Sequence, residues 1–235
     1  MNTSMNTRGK FFLGSVLLSI ILVGCFTGNE DKPPVVDIFP LAMGNTWVYV
    51  DSAIYGPDSV VTGTSEVNIV GTRNVWTGGD SQTVFQLNVK NVSTGQPGPV
   101  NVYVRNIGHT NYTYGAEEAG NTFVDITPHL RWPAKAGDHY FTHFVGFATV
   151  NGNRVPALDT IQIVVVNPDT LCTVPAGAFA CVHYRGYRLD GTLHADAFYA
   201  PGVGNLGNEL TRTILVEDSL RVVRYVKKLV SFTLH

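Results

Sequence analysis

The sequence predicts an all-β fold: an antiparallel meander of about ten strands forming a strongly curved sheet, open barrel or sandwich. Three observations lead to this class. Apolar and polar residues alternate along several short segments, turn-forming residues separate those segments, and no stretch keeps a helical period. Charged residues make up only 14% of the chain, against about 25% in typical soluble domains. Uncharged polar side chains are therefore expected to cover the solvent face.

Alternation identifies the individual strands. Segments with one apolar and one polar face carry Val67 and Ile69; Phe85, Leu87 and Val89; and Val100, Val102 and Val104. This pattern is typical of antiparallel sheets that have one buried face. Three further runs, Trp47–Val50, Ile161–Val166 and Leu229–Val230, are apolar throughout and are predicted to lie nearer the centre.

Turn residues separate these segments. Asp190-Gly191 lies between Leu189 and Thr192 and predicts a two-residue hairpin turn, because both positions tolerate a positive φ. Gly78-Gly79-Asp80 and Asn151-Gly152-Asn153 are similar signals. One short helix is expected near Ala116–Ala119.

One turn pattern occurs twice. Pro40-x-x-x-Gly44-Asn45-x-Trp47 and Pro133-x-x-x-Gly137-Asp138-x-Tyr140 each place a glycine turn before an aromatic residue that starts a strand. A duplicated half and convergent turn chemistry both explain this pattern. Two matches are too few to establish a repeat.

Residues 1–24 have the layout of a signal peptide. Arg8 and Lys10 precede the apolar run Phe11–Val23, which is shorter than the roughly 20 residues of a spanning helix. The run ends in Leu22-Val23-Gly24-Cys25, which resembles the lipobox of bacterial lipoproteins. The resemblance implies cleavage before Cys25, lipidation of Cys25 and attachment to a membrane. An ordinary secretory signal with a chance cysteine is the alternative.

The rest of the chain is predicted to form a tether and one domain. Residues 25–36 are polar and end in prolines, which is typical of a flexible linker. Residues 37–235 contain no Ser- or Pro-rich break and are expected to form a single β-rich domain. Phe26 replaces the Asp that retains some lipoproteins in the inner membrane. By resemblance, this implies the outer membrane, facing the periplasm or the cell surface.

The charge balance argues against a nucleic-acid partner. Without the two basic residues of the leader, the chain has 14 basic and 18 acidic residues, a net charge of −4. No basic run extends beyond Lys227-Lys228, whereas phosphate binding needs clustered Lys and Arg. The expected partners are the membrane, through the N-terminal lipid, and a lipid or protein of the cell envelope.

Cys172 and Cys181 are a candidate disulfide. If residues 175–178 form the bend of a hairpin, the two cysteines lie directly opposite each other. Their Cα atoms are then about 4.5–5.5 Å apart, a separation that a disulfide spans. Two separate buried thiols are the alternative.

Motifs for catalysis or cofactors are weak. Gly202–Gly207 matches G-x-G-x-x-G, but the β-branched run 211–216 follows it, so a turn between strands is expected in place of a nucleotide site. His139 and His143, with His129 or Asp138, lack a third metal ligand at a diagnostic spacing. Neither metal nor cofactor is predicted.

The carboxylates and hydroxyls show no catalytic pattern either. Glu117 and Glu118 are adjacent and predict a solvated loop, not an acid–base pair. After the leader, no G-x-S-x-G motif and no H-E-x-x-H motif occurs. We therefore expect a protein without catalysis.

Aromatic residues are the remaining functional signal. Most are expected in the core. A subset is expected to face an apolar ligand site: Trp47, Tyr49, Trp132, Tyr140 and Tyr199.

Four segments resemble a group of uncharacterised bacterial lipoproteins: Phe39–Tyr49 (FPLAMGNTWVY), Trp132–Asp138 (WPAKAGD), Val174–Cys181 (VPAGAFAC) and Tyr199–Gly204 (YAPGVG). They keep that group's order, and the chain departs from its pattern after Gly204. The resemblance implies no activity. A looser fold analogy links the group to periplasmic lipoprotein carriers and receptors, whose curved sheet holds acyl chains. The expected role is non-catalytic binding of a hydrophobic ligand, lipoprotein or peptide. The alternative is a structural or assembly subunit of an envelope complex.

Overall fold

The structure, a computed structural model, describes residues 35–56, 59–91, 100–118, 120–150, 153–216 and 219–235. In these ranges 13 antiparallel strands form one sheet, which confirms the predicted all-β meander, with more strands than expected. The predicted signal peptide, Cys25 and the tether up to residue 34 lie outside the described residues. Within the described ranges, no helix is long and apolar enough to cross a membrane.

The strands are β1 (Thr46–Ile54), β2 (Val60–Trp76), β3 (Ser81–Asn91), β4 (Val100–Ile107), β5 (Thr110–Glu118), β6 (Asn121–Phe123), β7 (Thr127–Leu130), β8 (His139–Val150), β9 (Asn153–Val174), β10 (Gly177–Arg188), β11 (Leu193–Ala200), β12 (Gly204–Val216) and β13 (Ser219–Thr233).

Two meanders meet in the middle of the sheet. β1 to β6 follow one another outward in one direction, and β13 back to β8 follow one another in the other. β1 pairs with β13, with Thr46 opposite Thr233. β7 pairs with β5 beside the first meander. The first and last strands are therefore neighbours at the centre.

The sheet curves until its outer ends approach each other, as the twist of antiparallel strands favours. The hydroxyls of Thr127 in β7 and Thr142 in β8 lie 3.2 Å apart, and the amide of His143 donates to Thr127 Oγ1 at 3.1 Å. In the described ranges, no backbone ladder joins β7 to β8. The sheet thus stays open along this line, which we call the seam.

The hydrophobic core lies on the concave side of the sheet. Its largest fully buried side chain is Trp47. The Trp47 ring stacks on Phe39 with the ring centroids 4.9 Å apart, and its Nε1 donates to the Val203 carbonyl at 2.6 Å. Because Phe39 precedes β1, the segment that enters the domain is packed into the same core and covers part of the concave face.

The two turns of the repeated pattern share one geometry. The Gly44 amide donates to the Ile69 carbonyl at 3.0 Å, and the Ile69 amide donates to the Asn45 carbonyl at 2.9 Å. Gly137-Asp138 makes the same pair of bonds with Val165, both at 2.8 Å. The glycines have φ of +86° and +85°, which glycine adopts without strain. The shared sequence pattern therefore places the same pair of backbone hydrogen bonds between a turn and the second strand of the hairpin that follows it.

Two local predictions are corrected in part. Residues 116–118 continue β5 and form no helix, because Ala116 pairs with Val102 of β4 and the ladder overrides local propensity. The Asp190-Gly191 hairpin is confirmed, but its turn spans Leu189–Thr192 and so is longer than two residues.

The predicted register of the two cysteines is wrong, and both thiols are free. The β9–β10 turn contains only residues 175–176, so Cys172 lies opposite Phe179 and Cys181 lies opposite Thr170. Burial raises the pKa of the Cys181 thiol to about 12 and also raises the pKa of Cys172. Both thiols therefore stay protonated near neutral pH.

Candidate binding cavity

The concave side of the sheet encloses a cavity of about 340 Å³. Small-molecule sites usually measure about 300–1,000 Å³, so this volume is at the lower end of that range. A second cavity of about 100 Å³ adjoins it, and the two share wall residues that include His129, His143 and Tyr199. The combined site runs from the centre of the sheet to the seam.

One side of the larger cavity is entirely apolar. Its residues come from β2, β3 and β4, and we call them the apolar wall: Val67, Leu87, Val89, Val100, Val102 and Val104. They line one face because side chains alternate along a strand and the register pairs Val67 with Val89, Val89 with Val100 and Leu87 with Val102. The alternation seen in the sequence therefore becomes a continuous apolar surface.

Another part of the cavity lining carries polar groups. These residues come from β1 and from β11 to β13, and we call them the polar wall: Tyr49, Tyr199, Asn205, Asn208 and Lys227. The Tyr49 hydroxyl donates to the Asn205 backbone carbonyl at 3.2 Å. Lys227 Nζ lies 4.8 Å from the centroid of the Tyr49 ring and 3.7 Å from Asp51 Oδ1. The polar wall is thus organised around Tyr49.

Both tyrosines of the polar wall are held protonated. Burial is the main cause that raises the pKa of Tyr49 well above its usual value, and burial also raises the pKa of Tyr199. Beside them, Asn205 Oδ1 is buried and has no hydrogen-bond partner in the described part of the chain. The wall therefore offers an acceptor to a bound molecule, next to hydroxyls that remain donors.

Two histidines border the site near the seam. His129 Nε2 lies 3.3 Å from the Tyr199 hydroxyl, and burial lowers the pKa of His129 to about 4. His143 Nδ1 lies 2.8 Å from Asp125 Oδ2. Near neutral pH the cavity is therefore lined by the uncharged imidazole of His129 and by the imidazole of His143, which is hydrogen-bonded to Asp125.

The low pKa of His129 predicts a loss of stability in acid. An unfolded histidine has a pKa of about 6.5, so between pH 6.5 and 4 the unfolded chain binds a proton that the folded chain excludes. Acidification from pH 7 to 4 is expected to remove up to about 3 kcal/mol of unfolding free energy through this residue. Urea unfolding at several pH values would measure it. In His129→Phe the decrease in unfolding free energy between pH 7 and 4 should be smaller by that amount. An equal decrease in both proteins would contradict the assignment.

The predicted ligand-face aromatics occupy different places. Tyr49 and Tyr199 line the larger cavity. Trp47 is fully buried in the core beside it. Trp132 donates through Nε1 to the Val36 carbonyl at 3.1 Å, and the Tyr140 hydroxyl donates to the His129 carbonyl at 2.9 Å. Trp132 and Tyr140 therefore hold neighbouring segments, and neither borders the two cavities.

The other candidate groups are also separated. His139 is exposed beside Gly137, away from His143. Among the described residues, no three His, Cys, Asp or Glu side chains converge as metal ligands would. Residues 202–203 of the glycine-rich segment lie in the turn between β11 and β12, and residues 204–207 begin β12, so the predicted turn is present but is shorter than the motif.

The acidic pair is in a strand, so the prediction of a solvated loop is wrong. Glu117 lies in β5 and accepts from the Tyr103 hydroxyl at 2.7 Å and from Arg73 Nη1 at 2.6 Å. These hydrogen bonds lower the pKa of Glu117. Glu118 is buried. The pair separates because neighbouring residues of a strand point to opposite faces.

Sequence reasoning predicted the two tyrosines of the polar wall but missed its other three residues. Lys227 was notable only as half of a basic dipeptide, yet it shares the inward positions of β13 with Val223 and Leu229, both fully buried. A lysine in phase with buried residues is a signal that alternation makes visible. Asn205 and Asn208 had no such signal, because one register shift in the β11–β12 pair changes which positions of β12 point inward.

Comparisons with known proteins do not assign the chain to a family. No family model matches it, and no curated protein matches it. A crystal structure of a candidate lipoprotein from Parabacteroides distasonis aligns over 84% of this chain and 99% of its own, with 13% identity and a TM-score of 0.47. A DUF1329 family protein from Desulfovibrio piger aligns over 81% and 85%, with 9% identity and a TM-score of 0.26.

Proposed function

We propose that this protein is a lipid-anchored protein of the cell envelope that binds a hydrophobic ligand in the cavity without catalysis. One observation carries the proposal: a cavity of about 340 Å³ with a wall of valine and leucine side chains on one side. A soluble domain gains stability by filling such a space with its own side chains, since interiors are normally close-packed. An apolar space of this size is therefore best explained by a ligand.

The anchoring half of the proposal rests on the sequence. The lipobox-like segment 22–25 and the tether that follows it supply a lipid on Cys25 and a linker to the domain. The described domain begins directly after that tether, so a ligand cavity would be held within reach of a membrane surface.

The state of the polar groups supports binding over chemistry. Tyr49 is protonated and already donates to a carbonyl, and His129 is uncharged. Lys227 lies near a carboxylate, Asp51. A general acid or base works best with a pKa near the operating pH, whereas these shifts move Tyr49 and His129 away from it.

Native mass spectrometry tests the proposal. The protein is purified gently from membranes in detergent and released from the micelle in the instrument. We expect a reproducible adduct with the mass of a lipid or another apolar metabolite. A clean apo mass under conditions that preserve other lipid complexes would contradict a ligand role.

A cavity-filling substitution locates the ligand. Val67→Phe adds a ring to the apolar wall and is expected to abolish the adduct, because the added volume occupies the ligand's space. Val70→Phe, on the same strand at a side chain that is 48% exposed, is the matched control and should keep it. An adduct that persists in folded Val67→Phe protein would place the ligand elsewhere.

A second candidate function is assembly with an envelope complex. The observation that favours it is the edge strand β8, which ends the sheet and, in the described ranges, has no backbone ladder on its outer side apart from the contacts of Thr142 and His143 with Thr127. Unpaired strand edges are ready templates for another chain. A clean apo mass, with partners crosslinked to β8 in the envelope, is the result expected from this function.

A further inference from the structure

We infer that the cavity binds a single-chain amphiphile with an anionic head, such as a long-chain carboxylate, with the head at Lys227 and the chain along the apolar wall. The inference rests on the proposed binding function and specifies the chemical class of its ligand. Three features of the cavity carry it: the division of its walls, the charge that it presents and its volume.

The cavity is divided by chemistry. The side chains that β2, β3 and β4 contribute are all apolar, whereas those from β1 and β11–β13 are all polar or hydroxylated. A purely apolar ligand would leave the Lys227 ammonium and the Asn208 side-chain amide against hydrocarbon, and buried polar groups without partners cost about 1–3 kcal/mol each. A purely polar ligand would gain nothing from the apolar wall. An amphiphile satisfies both walls.

A charged side chain, that of Lys227, lines the cavity. Lys227 is the one lysine or arginine among the described residues that line the two cavities, and no aspartate or glutamate lines either of them. Asp51 approaches Lys227 at 3.7 Å through Oδ1, while its Oδ2 is buried and has no partner in the described ranges. An ammonium carries three donors, so Lys227 retains donors for a ligand anion.

Further donors and acceptors surround that ammonium. Asn208 lies directly opposite Lys227 in the β12–β13 ladder, and both border the cavity. A carboxylate accepts hydrogen bonds from an ammonium and from a side-chain amide. The neighbouring Tyr49 ring lies under the ammonium at 4.8 Å and keeps it at the cavity edge.

The volume restricts the ligand to one chain. At about 340 Å³ the cavity is near the minimum for a drug-sized ligand. The apolar wall is three strands wide, and neighbouring strands are about 4.8 Å apart. One extended chain fits along such a strip, whereas a lipid with two or three chains would exceed the space.

Photocrosslinking in membranes that contain the full chain tests the inference. The probe is hexadecanoic acid with a diazirine on its chain, and its neutral partner is the corresponding alcohol. We expect the acid to crosslink to peptides of β3 or β4 and to be displaced by unlabelled hexadecanoate. Lys227→Met should raise the half-saturating concentration of the acid about ten-fold, the loss expected for a charged hydrogen bond. The same substitution should leave the half-saturating concentration of the alcohol unchanged.

Two variants serve as controls. Lys228→Met changes the adjacent exposed lysine and should leave both probes unchanged. Lys227→Arg keeps the charge and should retain acid binding. Equal affinity of the acid for wild type and Lys227→Met, with crosslinks still in β3 or β4, would overturn the anionic-head inference while the binding function stands. Absence of crosslinks with both probes would overturn both.

Discussion

Replacement of Trp47 with alanine is expected to lower the unfolding free energy by about 3–5 kcal/mol, the usual cost of removing a buried tryptophan. Trp47 is fully buried, stacks on Phe39 at 4.9 Å and donates to the Val203 carbonyl at 2.6 Å. The substitution therefore removes a large apolar surface and leaves that part-buried carbonyl without its donor. The entry segment would also lose the stacking contact of Phe39.

Chemical denaturation of the two tryptophan variants would measure this effect. Trp76→Ala is the matched control, because its side chain is 66% exposed at the end of β2. Its expected change is within about 0.5 kcal/mol. Similar losses in both variants would show that Trp47 does not anchor the core. A selective loss in Trp47→Ala would identify the FPLxxGNxW segment as a stability element.

Gly115→Ala is expected to destabilise the domain by about 2–5 kcal/mol. Gly115 has a φ of +130°, and a Cβ there would lie 2.0 Å from the Phe123 carbonyl oxygen and 2.9 Å from Val124 Cα. Overpacking costs about 1–3 kcal/mol, and an L-residue at positive φ costs roughly 1–2 kcal/mol more. Because both contacts are with backbone, no side-chain rotation relieves them.

Gly79→Ala is the control for this substitution. Gly79 lies in the β2–β3 connection, and a Cβ there meets no atom within 4 Å. Thermal unfolding should show a large decrease in Tm for Gly115→Ala and little change for Gly79→Ala. If Gly115→Ala has the Tm of the wild type, the close packing of β5 against Phe123 and Val124 is not needed for stability.

The sequence alone predicted the features that depend on near neighbours. Alternation at Leu87 and Val89, and again at Val100 and Val102, identified strands and the inward face of each. These signals span a few residues, because successive side chains of a strand point to opposite faces. The same locality explains why the glycine turns at residues 44 and 137 could be recognised.

Small local errors had larger consequences for register. The hairpin between β9 and β10 has a turn of two residues where four were expected. As a result, the cross-strand partner of Cys172 is Phe179 and not Cys181. A strand pair has no other local marker of register, so one wrong turn length shifts every cross-strand contact. The five aromatic residues predicted to face a ligand do not all line the cavity. Aromatic residues that are buried in the core and those that border a cavity have the same sequence pattern, so the sequence could not separate them.

Local residue patterns were enough to predict the all-β class, most strand positions and the chemistry of the turns, whereas the lipobox-like leader stays a prediction. That Val67 and Lys227 line one cavity is visible only in the folded structure. These residues are brought together because β1 pairs with β13 and the sheet curves through both meanders. That curvature is the summed twist of 13 strands, and no local pattern states where the two walls will meet.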